Sequence, residues 1–233
     1  MQLKRLQSSL EQFQDFLSSP EAEDRLYMWE SQRIFQENWE LEALDLAAMY
    51  NRSLENTQTR RLWSREFYEP KRLMHQFMRQ QPDFVRQMFA DLFNDDRSID
   101  GRISRFVFGC DELLRDHQER HPRDRTNSHY HDDGYQIISL YLAFRYPDRY
   151  TYYDFALFRS TLENLGAPDL PATHDFERFV KVSRTIYNFM QKNDALMESH
   201  RARLDPEKHF QGDSLLLVYD FMEGVGKTVD GGR

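Results

Sequence analysis

Apolar residues recur at steps of three and four through nearly the whole chain, the spacing that gathers them on one face of a helix. Leu3, Leu6, Leu10, Phe13 and Leu17 predict a first amphipathic helix. Ser19-Pro20-Glu21 then offers an N-cap, a first-turn proline and an acidic first turn, which complement the free N–H groups and the dipole of a helix start. The pattern predicts a second helix running to about Asn38 with Leu26, Trp29 and Phe35 inward, and a third over Leu41 to Tyr50 with Leu44, Ala47 and Ala48 on one side. Residues 51–69 are less regular. Pro70 and Pro82 each stand where a helix would begin, the first followed by Leu73, Met74, Phe77 and Met78, the second by Val85, Met88, Phe89 and Leu92. Asp100-Gly101 precedes a strong helix carrying Ile103, Phe106, Val107, Cys110, Leu113 and Leu114.

His117 to Ser128 reads as a polar, arginine-rich loop, and loops of this length are often functional. Next comes an ionisable knot, His129-Tyr130-His131-Asp132-Asp133, feeding into Gly134 to Pro147. Ile137, Ile138, Leu140, Tyr141, Leu142 and Phe144 cover every direction of a helix over about 134–146, so this segment belongs inside the fold. Beyond it, Thr151 is placed to cap a helix bearing Phe155, Phe158 and Leu162 that closes at Gly166. After a connector over 167–173, a long helix holds Phe176, Phe179, Val180, Ser183, Ile186, Tyr187 and Met190, Asn193 caps another through Leu204, and Leu215 to Met222 forms the last. The pattern predicts an all-α fold, a compact single domain of roughly ten helices with room for two lobes. Residues 1–222 form the helical body and 223–233 a flexible C-terminal tail.

Composition sharpens this picture in three ways. The 9 glycines and 8 prolines of the 233 residues form no linker, and aromatics at 14% allow a sizeable core from few elements. The lone Cys110 excludes an internal disulfide framework and reads as a small buried apolar residue. No apolar run approaches a membrane span or a signal peptide, so the expected location is cytoplasmic, with no membrane partner. The net charge of −8 is uneven. Residues 60–125 hold 14 basic and 12 acidic side chains, and nearly all of those cations are arginine, whereas the flanking thirds are net acidic.

Four constellations bear on chemistry. His129, His131, Asp132 and Asp133 are ligand types for zinc or manganese, but the shell they offer is incomplete. The aspartates serve equally as caps of the following helix, and the group is also a candidate for ligand or partner contact, so no metal and no cofactor is expected. Gly224-Val225-Gly226-Lys227-Thr228 ends like a phosphate-binding loop, but Phe221 occupies the position of its required first glycine. The arginines, namely Arg60, Arg61 and Arg65 beside Trp63 and then Arg120, Arg123 and Arg125 on the polar loop, suit phosphate clamping, with Trp63 available for base stacking. The same arginines also fit a solvated face paired with local carboxylates. Trp29, Trp39 and Trp63 fit either a core or a pocket lining. No arrangement for nucleophilic catalysis stands out.

Read together, Tyr27-Met-Trp-Glu-Ser-Gln-Arg-Ile-Phe-Gln36, Asn56-Thr-Gln-Thr-Arg-Arg-Leu-Trp63, Pro82-Asp-Phe-Val-Arg-Gln-Met-Phe-Ala-Asp-Leu-Phe93 and His129-Tyr-His-Asp-Asp133 running on to Phe144-Arg-Tyr-Pro147 carry a resemblance. From about residue 5 to 222 the chain resembles the N-terminal regions of McrB-like AAA+ ATPases of modification-dependent restriction systems. The resemblance implies a non-catalytic DNA-recognition module of a defence ATPase, of a kind that often reads modified bases, with an AAA+ motor downstream. It carries over no individual binding residue. The alternatives are a helical protein-interaction or regulatory module that does not bind DNA, and a metal-dependent enzyme built on His129 and His131.

Overall fold

Prolines and short polar side chains set where the helices begin. The computed structural model describes residues 1–56, 58–63, 69–123 and 134–226, with Thr59, Arg60 and Gly226 described by backbone alone. These residues form thirteen helices and no strand. The helices are α1 (Leu3–Phe16), α2 (Pro20–Glu23), α3 (Tyr27–Asn38), α4 (Leu46–Leu54), α5 (Thr59–Trp63), α6 (Pro70–Gln80), α7 (Pro82–Leu92), α8 (Ile99–Arg120), α9 (Gln136–Arg145), α10 (Phe155–Asn164), α11 (Phe176–Met190), α12 (Asp194–Ala202) and α13 (Leu216–Gly226). The expected all-α class is the observed one. The chain divides into two compact units. Unit 1 comprises Met1–Arg33 and Leu142–Arg233, and unit 2 comprises Ile34–Tyr141. The division falls inside α3 and inside α9.

Several predicted boundaries move, each for a local reason. The helix expected over 20–38 is two helices, because tight turns from Glu23 to Leu26 and from Ala22 to Arg25 interrupt the regular ladder. The third helix starts at Leu46, not Leu41, since the Asp45 carboxylate accepts from Ala48 N–H at 2.9 Å and resets the cap. Leu44 is consequently fully exposed instead of inward. Asp154, not Thr151, caps α10 through Leu157 N–H, and Thr151 is buried. α13 continues to Gly226, so 223–226 are helical and not part of a tail. Residues 227–233 lie outside the described residues. Gly166 closes α10 at φ +63°, the left-handed conformation expected of it.

Unit 1 packs α13 against α1, α10 and α11, and α12 against α1 and α11. Within α13 lies Asp220, completely buried. Arg25 Nε donates to its Oδ1 and Arg203 donates to its Oδ2, both at 2.6 Å. The Arg203 guanidinium also lies over the Trp29 ring, 4.8 Å from its centroid, and donates to Ala22 O. Arg25 lies over Tyr219 at 4.9 Å. A buried carboxylate is tolerated only when its charge and lone pairs are met, and here two planar forks meet them. Burial opposes the Arg25 charge, yet the Asp220 carboxylate holds its pKa above the ordinary value. His200 stands beside Trp29, with its Nδ1 accepting from Arg203 Nε at 3.3 Å. Burial, with Arg203 and Arg201 nearby, pushes its pKa down to about 3.

Unit 2 packs α7 on α8, α6 on α7, and α4 on α6 and α7. Gly109 permits the close approach of α8 to α7: a Cβ there would meet Met88 Sδ at 2.7 Å. The core is aromatic. Phe89 packs edge-on to Tyr141 at 5.0 Å and to Phe106 at 5.1 Å, and Tyr50 and Tyr141 share a hydroxyl–hydroxyl hydrogen bond at 2.7 Å. Ile137 through Phe144 are buried on all sides, as the absence of a polar face in this segment predicts.

Two predictions follow from unit 1. Asp220→Asn removes the buried charge shared by two inward arginines, leaving Arg25 only its longer pair with Glu223 at 3.9 Å, and should cost about 3–5 kcal/mol, measured as a drop in Tm of about 10 °C; an unchanged Tm contradicts the account. His200 binds its proton more weakly folded than unfolded, so the unfolded chain takes up a proton first as pH falls. Stability should therefore drop from about pH 6.5 downward, by at most about 1.4 kcal/mol per unit for this residue. Urea titrations at pH 7 and pH 4.5 on the natural chain and on His200→Gln check this: the variant should show the shallower acid slope.

Candidate polar cleft

α8 is longer than its sequence pattern suggests. It runs through His117 to Arg120 and ends where Pro122 disfavours helix at His121. Its last turn lies beside the last turn of α6, and the two ends are tied by side chains. Gln81 Nε2 donates to Asp116 Oδ2 at 2.9 Å, and the Phe77 ring meets His117 edge-on at 6.2 Å. Between these ends opens a cleft of about 460 Å³ lined by Gln76, Arg79, Gln80, His117 and His121.

Among the described residues the lining is polar throughout and contains no carboxylate, in a chain whose net charge is −8. His117 is 3% exposed, so its ring is fixed by the protein. The Gln80 carboxamide nitrogen lies 3.2 Å from His117 Nδ1. His121 lies one turn on, its ring centroid 4.8 Å from that of His117. Arg79 is exposed and makes no ion pair among the described residues. The cleft thus offers one uncommitted cation, two imidazoles and two amides, a donor-rich set suited to an anionic group with hydrogen-bonding substituents.

Among the described residues no three His, Cys, Asp or Glu side chains gather as a metal-binding group. His129, His131, Asp132 and Asp133, the predicted ligand or capping knot, lie outside the described residues, as do Arg65 and Arg125. The side chain of Arg60 is likewise not described. Arg61 is exposed and donates to Gln58 Oε1 at 2.9 Å. Arg120 and Arg123 are exposed at the end of α8, and Arg120 reaches Asp116 at 3.8 Å, a loose surface pair of small worth.

Trp63 requires a correction. Expected as a stacking platform, it is 3% exposed and packs on Tyr141 with ring centroids 5.4 Å apart, so its face is spent in the core. Trp29 is buried in unit 1, and Trp39 packs on Phe35 and Phe89 in unit 2. Most other arginines of the middle third are committed. Arg86 donates to Leu41 O and Ala43 O, Arg102 is buried against Asp95 and Leu92 O, Arg97 pairs with Asp91, and Arg72 with Glu69.

The sequence reading missed Gln76, Gln80, His117 and His121 as a site. Its signal is the repeated four-residue step, Gln76 to Gln80 and His117 to His121, which stacks each pair on one helical face. That step was masked by ending the eighth helix too early.

The chain matches no protein-family model, no curated protein and no solved structure. No helix among the described residues is long and apolar enough to cross a membrane.

Trp63→Ala should behave as a core truncation, costing about 3–5 kcal/mol. Thermal melting checks it: a variant that melts with the natural chain would return Trp63 to the surface.

Proposed function

We propose that the chain is a non-catalytic nucleic-acid-recognition module, of the kind that precedes the motor of a McrB-like AAA+ restriction ATPase. The observation that supports this reading is the cleft of Gln76, Arg79, Gln80, His117 and His121, with no acid among its described lining residues, flanked by exposed Arg120 and Arg123. Arginine forks engage phosphate and guanine, and glutamine amides engage adenine, so this set serves both backbone and base contacts. Arg61 supplies a further exposed cation on the same unit. The acidic remainder of the surface repels DNA and restricts contact to this region.

A second reading, a protein-interaction module, is favoured by Phe108, which is 65% exposed on α8. Fluorescence anisotropy separates the two. Plain and methylated duplexes and single strands are titrated at low salt, and affinity should fall steeply between about 50 and 200 mM salt as counterions are released. Combined reversal of Arg79, Arg120 and Arg123 to glutamate should weaken binding at least about tenfold without lowering Tm, because exposed arginines contribute little to stability. If no substrate binds more tightly than about 10⁻⁴ M, the DNA reading fails and the interaction reading replaces it.

A further inference from the structure

The donor set of the cleft selects among anions. The described lining holds no carboxylate, and the Gln80 amide stands against His117 Nδ1, so among the described residues the cleft presents donors more than metal ligands. Asp116, on the same turn of α8, is engaged by Gln81 and Arg120. An anion meets Arg79, which makes no ion pair among the described residues, together with two imidazoles whose rings are 4.8 Å apart.

Size narrows the choice. Small-molecule sites run from about 300 to 1,000 Å³, and the 460 Å³ of this cleft falls in that range, so a lone phosphate would leave much of it empty. The two glutamine carbonyl oxygens are acceptors, which an ionised phosphate cannot serve but the N–H groups of a nucleobase edge can. The donors also converge on one cleft instead of tracking along a surface, as arginines meeting successive phosphodiesters would. A terminal phosphate monoester presents three free oxygens and up to two negative charges, more than a diester offers to a convergent set.

We propose that the cleft between the last turns of α6 and α8 binds a nucleoside 5′-phosphate, with Arg79 and His121 on the phosphate, His117 at the cleft wall beside His121, and Gln76 and Gln80 on the base. The group comes either from the 5′-phosphorylated end of a nucleic-acid strand or from a free nucleoside monophosphate. The strand source rests on the recognition function proposed above; the free-nucleotide source does not.

The experiment uses the whole chain. Strands labelled at the 3′ end and bearing either a 5′-phosphate or a 5′-hydroxyl are titrated by anisotropy, and adenosine, AMP, GMP, CMP and inorganic phosphate are titrated by calorimetry. The 5′-phosphate should tighten strand binding about tenfold, the size of one charge-assisted hydrogen bond. AMP, GMP or CMP should bind where adenosine does not. Arg79→Ala and His121→Ala, both at exposed positions, should each abolish the phosphate preference with Tm unchanged. Arg115→Ala, which removes the same charge from an exposed site on α8 outside the cleft, should keep it. Strands that bind regardless of 5′-phosphate, or a preference that survives Arg79→Ala and His121→Ala, overturn the cleft assignment and leave DNA recognition standing. Binding of monophosphates without strands supports the cleft and removes DNA recognition. Inorganic phosphate binding as tightly as AMP overturns the nucleoside part, and no binding of any probe overturns both proposals.

Discussion

The Tyr141 ring is the point on which unit 2 converges. Fully buried near the middle of α9, it takes Trp63 on one side, Phe89 edge-on from α7, Phe106 from α8 and the Tyr50 hydroxyl from α4. Four separate segments are therefore fixed to one residue. Aromatic contacts of this kind are directional as well as apolar, so the helices are held in register as well as together. The register has a consequence one helix length away. With α7 seated on α8 through Phe89–Phe106 and the Met88–Gly109 approach, Gln81 falls opposite Asp116 and the final turns of α6 and α8 stand side by side. The polar cleft is the exposed end of an aromatic lattice.

The two units treat charge in opposite ways. In unit 1, Asp220, Arg25, Arg203 and the neutral His200 are enclosed and hydrogen-bonded to one another, so their charges specify packing and are spent there. In unit 2, Arg79 and the arginines at the end of α8 are left at the surface beside a lining with no acid among its described residues. Exposed cations next to imidazole and amide donors are what an external anion requires. Committed ions, however well placed, have nothing further to offer a ligand.

How much of this was legible in the sequence depended on distance. Helix type followed from apolar spacing, and Pro70, Pro82, Ser19, Asn193 and Gly166 marked real boundaries because a cap or a proline acts within one turn. Leu44 was misplaced because Asp45 outcompetes the apolar pattern as a cap, and Thr151 because Asp154 is the stronger acceptor nearer the helix. The buried ion triad was invisible: Arg25, Arg203 and Asp220 are separated by up to 195 residues and nothing local pairs them. Trp63 was ambiguous for the same reason, since its neighbour Tyr141 lies far along the chain. The cleft was half legible. Arg120 and Arg123 stand out in the sequence as cations, but the polarity of 117–128 reads as a loop and hides the helical turn of His117 and His121 that Pro122 ends.

The central claim is that the ends of α6 and α8 form the recognition surface of this chain. Side-chain NMR with a 5′-phosphorylated oligonucleotide tests it most directly, by following the imidazole signals of His117 and His121, the Arg79 guanidinium and the amides of Gln76 and Gln80. The account predicts saturable shifts in these five residues, with His200 in unit 1 unmoved. Shifts confined to other residues, or none at all at saturating ligand, would contradict it.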